Sequence, residues 1–339
     1  MSKTQSDNEN PLIAGLKRYR GSLPLGLRIV IAVGLMAFVV SLVWQDRHQF
    51  DDVDWTLIPL AWSLTLLSTG VKAFRWSLLV RQSHLDIPYR RLLGTYFVGA
   101  FFNTILPSSV GGDAVRAVDT ANKTGRAVDS TSSVLIERGM GLLAIAMAGS
   151  ICALVLEPDV VPLPFLLLVH AMTLAGISGI VVLRQGWFIQ PINGVLRRFK
   201  LGKVADKVDQ VQRTLSGHLG RPAVLGQMFV LSVLANALTM GATYLVLVAV
   251  TEPIKVAAFV PMIALATVAE LIPISIASLG VKESAYVFFL GLADVGSAEA
   301  GVIAIIMRVL TWGHALVGGI VFMTRGSSKP TPTDTPVPS

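Results

Sequence analysis

The sequence predicts an all-α polytopic membrane protein with about six full transmembrane helices and two broken re-entrant hairpins in an inverted-topology repeat. Hydrophobic residues make up 53% of the 339 residues and only 14% are charged, a composition that is not expected of a soluble domain of this length. Several apolar runs reach about 18 residues or more, which is enough for a helix to cross a bilayer. Two other apolar segments are interrupted by a proline and small residues, one in each half of the chain.

The formal charge of +7 does not indicate a nucleic-acid partner, because the basic residues cluster in the loops between apolar runs. Such clustering is the positive-inside signature of cytoplasmic loops. The single cysteine, Cys152, excludes an intramolecular disulfide and a cysteine metal cluster. The sequence contains no P-loop, no H-E-x-x-H motif and no acidic cluster with metal-ligand spacing. We therefore expect no metal, no cofactor and no enzymatic activity.

In the first half of the chain, the charges that flank each apolar run indicate on which side of the membrane the loops lie. Residues 1–27 are expected to form a flexible cytoplasmic N-terminus, because basic residues precede the first apolar run, Ile29–Trp44. That run lacks an A-x-A-like cleavage site, so it is interpreted as a span and not as a signal peptide. An acidic loop, residues 45–54, is assigned to the outside. The second span, about Trp55–Leu79, then returns to basic residues that are assigned to the cytoplasm: Lys72, Arg75, Arg81, Arg90 and Arg91.

The membrane region divides into two halves around a basic segment. The first half covers residues 28–183 and contains a hairpin at 92–127, and the second covers 222–324 and contains a hairpin at 256–293. Between them, residues 184–221 carry eight basic and two acidic residues, with apolar residues at near-helical spacing. This pattern predicts an amphipathic helix on the cytoplasmic surface that is attracted to anionic lipid; a solvated linker helix is the alternative. The Pro- and Thr-rich tail, 325–339, is expected to be disordered.

The first hairpin centres on the stretch NTILPSSVGGDAVR, from Asn103 to Arg116. The apolar segment that leads into it, Leu92–Leu106, reaches only ~22 Å as a helix, short of the ~30 Å hydrocarbon core. Proline and glycine then allow a tight turn. Asp113 and Arg116 share a face if a helix restarts at Gly112. A cytoplasmic loop between two ordinary spans is the alternative.

The second half repeats this pattern. PSSVGGDAVRA, from Pro107, is matched by PISIASLGVKESA, from Pro273. In each unit a polar residue stands about one turn before the proline, charges follow the glycine, and the next span carries a buried cation. The first unit starts inside and the second outside, so the pattern predicts an inverted repeat with its site at the repeat interface; chance similarity is the alternative. The candidate site residues are Asn103, Asp113, Arg116, Glu137, Arg138, Glu270, Lys282, Glu283 and Arg308.

Charges in the membrane interior need a partner or water. Glu137, Arg138, Glu270 and Arg308 together would cost on the order of 10 kcal/mol if unpaired. A structural ion-pair network and a hydrated substrate cavity both satisfy this requirement. His170 and His314 also lie within spans, where packing roles are favoured for both.

The two motifs carry a family resemblance. NTILPSSVGGDAVRA, SSVLIERGMGLL, PISIASLGVKESAY, IAIIMRVLTW and FRWSLLV resemble the lysylphosphatidylglycerol synthase transmembrane region, also called the flippase-like family. The resemblance implies a role in moving lipids between leaflets. It also implies functional positions at Asp113, Arg116, Glu137, Arg138, Glu283 and Arg308. The second motif departs from the family pattern, because Ala277 and Ser278 stand where glycine is usual. No soluble aminoacyl-transferring domain follows, so synthase activity is not expected.

These observations lead to the hypothesis of a lipid translocase in a bacterial inner membrane, with both termini cytoplasmic. The expected partners are an anionic or zwitterionic phospholipid and an anionic membrane surface, and a homodimer is left open. Arg116, Arg138, Arg308 and Lys282 would engage the phosphate. Asp113, Glu137, Glu270 and Glu283 would keep the empty cavity paired and select any cationic headgroup. The alternatives are a lipid-modifying enzyme that uses Asp113 or Glu137 as general acid/base, and an ion-coupled transporter of a small anion.

Overall fold

A computed structural model describes residues 25–106, 111–156, 161–187, 189–198, 201–271 and 276–325. These residues form twelve α-helices and contain no strand. The bounds of the helices are α1 Leu25–Gln45, α2 Ile58–Gln82, α3 Tyr89–Ile105, α4 Gly111–Thr124, α5 Ala127–Ile151, α6 Leu163–Gln185, α7 Ile189–Arg198, α8 Gly202–Leu219, α9 Pro222–Val250, α10 Val256–Ala269, α11 Val281–Gly291 and α12 Ser297–Thr324. Residues 1–24 of the predicted N-terminus and residues 326–339 of the predicted tail lie outside the described residues, as do the prolines of both turn motifs. Residues 25–27 belong to α1.

The helix lengths agree with an all-α polytopic membrane protein. Six helices, α1, α2, α5, α6, α9 and α12, have 21 to 29 residues, and a helix of about 20 residues spans the hydrocarbon core. Four of them, α5, α6, α9 and α12, are long and apolar enough to cross a membrane by length and composition alone. The remaining membrane segments are short pairs: α3 and α4 have 17 and 14 residues, and α10 and α11 have 14 and 11. Whether these pairs are re-entrant stays a prediction.

Local signals set the helix ends of the first pair. Helix α3 begins at Tyr89, three residues before the predicted start, because the Pro88 carbonyl accepts hydrogen bonds from the amides of Arg91 and Leu92 at 2.9 and 3.2 Å. Proline's fixed φ and missing N–H suit such a starting position. The helix ends at Ile105, and Leu106 is extended, with ψ 144°. This extended conformation is the one that a residue before proline prefers.

Two sequence predictions need correction. The second span continues to Gln82, three residues past its predicted end near Leu79. Lys72 and Arg75, which were interpreted as part of a cytoplasmic flank, lie well inside helix α2. The basic segment 184–221 is not one helix but two, α7 and α8. The Leu201 amide donates to the Leu196 carbonyl at 2.9 Å and closes α7. The Leu201 carbonyl then accepts the first hydrogen bonds of α8.

Close helix contacts place the short pairs inside the bundle. Helix α2 packs against α9, and α3 packs against both α4 and α12. A Cβ atom on Gly318 of α12 would collide with the Phe97 carbonyl of α3. Small residues let membrane helices approach in this way, because packing there cannot rely on the hydrophobic effect. Helix α6 differs, since Val169 is the one buried residue among those that the structure describes in it. Its exposed apolar residues, such as Leu167, Leu174 and Val181, are available to lipid.

Candidate functional site

The start of helix α4 is held against α3. The Asn103 side-chain oxygen accepts a hydrogen bond from the Gly112 amide at 2.7 Å, one of the amides that have no partner inside the helix. A Cβ atom on Gly112 would collide with the Gly99 carbonyl, so glycine is required for this approach. The contact directs the first turns of α4, with Asp113 and Arg116, towards the centre of the bundle. As the sequence predicts, these two side chains share a face and form an ion pair of 3.0 Å.

Glu137 of helix α5 is the centre of the polar network. Its carboxylate is almost completely buried and accepts hydrogen bonds at both oxygens. One oxygen contacts Arg75 of α2 and the Tyr96 hydroxyl, the latter at 3.3 Å. The other contacts both terminal nitrogens of Arg116, at 3.1 and 3.2 Å. Two guanidinium groups thus share one carboxylate, which satisfies the requirement that a buried charge be paired and hydrogen-bonded.

The Arg116 guanidinium is fixed from several sides. It lies 4.0 Å from the centre of the Tyr96 ring and 4.3 Å from that of Trp76, within the range of cation–π contacts. The Trp76 indole in turn donates to Ser133 at 3.0 Å. Because Arg116 already binds two carboxylates and two rings, it positions the network and has little capacity for a ligand. This role differs from the predicted direct contact with a phosphate.

Arg138 ends the network and faces open space. Asp113 accepts from Arg116 through one oxygen and from Arg138 through the other. The side chain of Arg138 is 26% exposed, whereas that of Arg116 is 4% exposed. Arg138 makes one hydrogen bond with the described residues, through Nη1. Within the part of the chain that the structure describes, its other donors are therefore available to a ligand.

A cavity of about 310 Å³ opens beside this network. Four cations and three carboxylates line it, so its lining carries a formal charge of +1: Lys72, Arg75, Arg116, Arg138, Asp113, Glu137 and Glu270. Asn103 also lines it, together with Tyr96, Asn236 and Thr267. The Lys72 ammonium donates to Thr239 at 3.3 Å and has no carboxylate within ion-pair distance among the described residues. The surplus charge at Lys72 and Arg138 favours an anionic ligand.

The second motif forms a separate cluster. Arg308 binds Glu283, and its terminal nitrogens donate to the carbonyls of Ala277 at 3.4 Å and Ser278 at 3.1 Å. Glu283 also accepts from the Gly280 amide at 2.8 Å. The φ angles of Ala277, Ser278 and Gly280 are 51°, 54° and 79°, a left-handed conformation that is costly for non-glycine residues. Arg308 and Glu283 hold this turn.

The predicted site is therefore divided in two. Glu283 and Arg308 do not line the cavity that contains Asn103, Asp113, Arg116, Glu137, Arg138 and Glu270. Lys282 is not part of the lining either, but it contacts the cavity residue Glu270 at 3.0 Å. This ion pair joins α10 to α11 next to the cavity. In this structure Arg308 binds Glu283 and two turn carbonyls, and Lys282 binds Glu270. Direct contact of Arg308 and Lys282 with the ligand stays a prediction.

Several cavity residues were not predicted from the sequence. Lys72 and Arg75 were assigned to a cytoplasmic flank because they precede further basic residues. Their partners on α9 are Thr239 and Ser232. The available signal was spacing: Lys72 and Arg75 are three residues apart on α2, and Ser232, Asn236 and Thr239 recur every three or four residues on α9. Such spacing places polar side chains on one face of each apolar helix.

The whole bundle, with both clusters, falls within one family. The family described as the lysylphosphatidylglycerol synthase TM region matches residues 26–318. The chain belongs to this family. It is also similar to a UPF0104 membrane protein of Methanothermobacter thermautotrophicus, with 21% identity over 327 residues that cover 88% of this chain and 96% of that protein. Together with its apolar helices, family membership identifies the chain as a multi-pass integral membrane protein in a lipid-related family.

Proposed function

We propose that the chain is a lipid translocase that takes the phosphate-bearing headgroup of a phospholipid into the charged cavity and moves it between leaflets. The proposed location is a bacterial inner membrane, with both termini in the cytoplasm. The proposal includes no enzymatic step. It depends mainly on one observation: a cavity among membrane helices carries surplus positive charge at Lys72 and Arg138.

The chemistry of the two cations suits a phosphate. Arginine binds phosphate through two parallel N–H groups, and lysine binds it as a point charge. Arg138 keeps donors free of protein partners among the described residues, and Lys72 has a neutral hydroxyl as its contact. The cavity, at about 310 Å³, is at the lower end of the range for small-molecule sites. It therefore suits a headgroup whose acyl chains stay in the bilayer.

The enzyme alternative has less support. Both oxygens of Asp113 and both oxygens of Glu137 accept hydrogen bonds from arginine or tyrosine. A carboxylate that arginines hold in this way is a poor general base, because its lone pairs are already engaged. Transport of a small soluble anion uses the same positive cavity, so binding measurements must separate it from lipid transport.

The test is binding to the purified full chain in detergent. The probes are a short-chain phosphatidylglycerol, glycerol phosphate and inorganic phosphate, each titrated calorimetrically. We expect the lipid to bind more tightly than either soluble anion. Arg138→Gln and Lys72→Gln should each weaken its binding by about tenfold, since a charge-assisted hydrogen bond contributes about 1.5–3 kcal/mol. Arg90→Gln, at an exposed arginine outside the cavity, is the matched control.

Three results would contradict the proposal. Unchanged affinity in both Arg138→Gln and Lys72→Gln would remove the cavity as the headgroup site. Equal or tighter binding of the soluble anions would favour anion transport. Covalent conversion of the lipid during incubation, detected by mass spectrometry, would support the enzyme alternative.

A further inference from the structure

A second cavity, of about 320 Å³, lies between the last turn of α6 and the helix pair α7–α8. Six of its seven lining residues are aliphatic: Leu183, Ile189, Val204, Val208, Val211, Gln212 and Leu215. Val204 is 45% exposed, so the groove reaches the molecular surface. This apolar groove is separate from the charged cavity, because the two have no lining residue in common.

The helix pair also exposes apolar side chains around the groove. Trp187, Ile192, Val195 and Leu201 are all exposed. On α7, at about 100° per residue, Ile189, Ile192 and Val195 share one side, and Arg197 and Arg198 share the other. A short basic helix with an apolar side and a nearby tryptophan is typical of a segment that lies in the membrane interface.

The groove adjoins the end of an apolar span. Leu183, which forms one wall, belongs to the last turn of α6. Helix α6 is an apolar span whose described side chains, apart from Val169, are not buried in the protein. The groove therefore begins where a lipid-facing helix leaves the bilayer.

The charge around the groove is positive. Asp206 and Asp209 both contact Arg197, at 3.2 and 4.0 Å, so one arginine compensates both acids in part. The other described arginines of the segment are exposed and form no ion pair with a described residue: Arg184, Arg198, Arg213 and Arg221. Each basic group near the surface of an anionic membrane adds to its attraction. Arg184 directly follows the groove residue Leu183.

We propose that this groove is a peripheral binding site for an anionic phospholipid. One acyl chain lies among the aliphatic side chains of α6 and α8, and the phosphate stays at the interface near Arg184. The bound lipid anchors the α7–α8 pair to the membrane. The site does not depend on lipid translocation through the charged cavity.

The experiment uses the full chain with Cys152→Ser, in nanodiscs. A small fluorophore is attached at Val204→Cys in the groove, or at Gln210→Cys, which lies about 120° away around α8. The discs contain phosphatidylglycerol or phosphatidylcholine that carries bromine in the middle of one acyl chain. We expect at least threefold stronger quenching at position 204 than at 210, and stronger quenching in phosphatidylglycerol. Arg184→Gln should remove most of the preference for the anionic lipid, whereas Arg90→Gln should leave it unchanged.

Val208→Trp provides a second variant, because the larger side chain should fill the groove and displace the lipid. If this variant does not fold, the Arg184→Gln comparison still decides the outcome. Equal quenching at positions 204 and 210 would overturn the proposal. An equal signal in the two lipids would overturn its anionic character. Disulfide formation between two copies through Val204→Cys would assign the groove to a second copy of this chain and overturn the lipid assignment.

Discussion

Replacing Arg308 by glutamine would remove a cation that is almost fully enclosed by protein. The side chain of Arg308 is 7% exposed and that of its partner Glu283 is 0% exposed. The substitution strands the Glu283 charge, and breaking a buried pair in this way costs about 3–5 kcal/mol. It also removes the donors to the carbonyls of Ala277 and Ser278. For a chain of 339 residues, 1 kcal/mol corresponds to about 1.4 °C in Tm, because the unfolding entropy is about 2.1 cal/mol/K per residue. We therefore expect Tm to fall by about 4–7 °C.

Arg138→Gln is the matched comparison. Arg138 is 26% exposed in the cavity, and its partner Asp113 keeps the contact with Arg116. The loss should therefore approach the ~0–1 kcal/mol of ion pairs that face water, or at most about 1.5 °C in Tm. Both variants are followed by thermal unfolding in the same detergent. The double variant Glu283→Gln/Arg308→Gln should recover part of the lost stability, because no charge is left without a partner.

The opposite ranking would refute this reasoning. If Arg308→Gln melted within about 2 °C of the parent and Arg138→Gln unfolded, the assignment of the first to structure and the second to the ligand would be wrong. If the double variant recovered no stability, the lost hydrogen bonds to the turn at Ala277 and Ser278, and not the stranded charge, would account for the loss of stability.

Three further predictions concern other parts of the chain. Gly112→Ala should destabilise the fold, because its Cβ atom would collide with the Gly99 carbonyl. A Cβ atom at Gly139 meets no atom within 4 Å, so Gly139→Ala should be neutral or stabilising by up to ~1 kcal/mol. Thermal unfolding compares the two variants. In Cys152→Ser protein, Asn122→Cys and Ser297→Cys should react with an impermeant maleimide from opposite sides of the membrane. Labelling of both cysteines from the same side would contradict the inverted repeat. Burial lowers the pKa of the His218 imidazole below 6.5, so the folded state binds fewer protons than the unfolded state below that pH. Stability should therefore fall as pH drops below about 6.5, and His218→Gln should remove this dependence in pH-dependent melting.

The sequence predicts the local features of the site well. Asp113 and Arg116 were placed on one face from their spacing alone, and the structure pairs them. Pro107 marked the end of α3 to within one residue, since the predicted segment ends at Leu106 and the helix at Ile105. These predictions succeeded because helix periodicity and proline sterics act over a few neighbouring residues.

The remaining features depend on packing between distant segments. Arg138 and Arg308 follow similar motifs, yet one faces a cavity and the other is enclosed by a left-handed turn. Nothing in the sequence of the two motifs determines which neighbouring side chains keep water away from each arginine. Arg75 was missed for the same reason, since its partners Glu137 and Ser232 lie 62 and 157 residues away in the chain. Charges near a span end were interpreted as a topology signal, although the helix continued past them.

The most direct test of lipid translocation is the rate at which a labelled phospholipid changes leaflets in vesicles that contain the purified chain. We predict that the parent and Arg90→Gln accelerate this movement above protein-free vesicles. Arg138→Gln, with nearly parental Tm, should slow it on the order of tenfold, which corresponds to about 1.4 kcal/mol of barrier. A parent no faster than protein-free vesicles, or full movement in both Arg138→Gln and Lys72→Gln, would contradict translocation through the charged cavity.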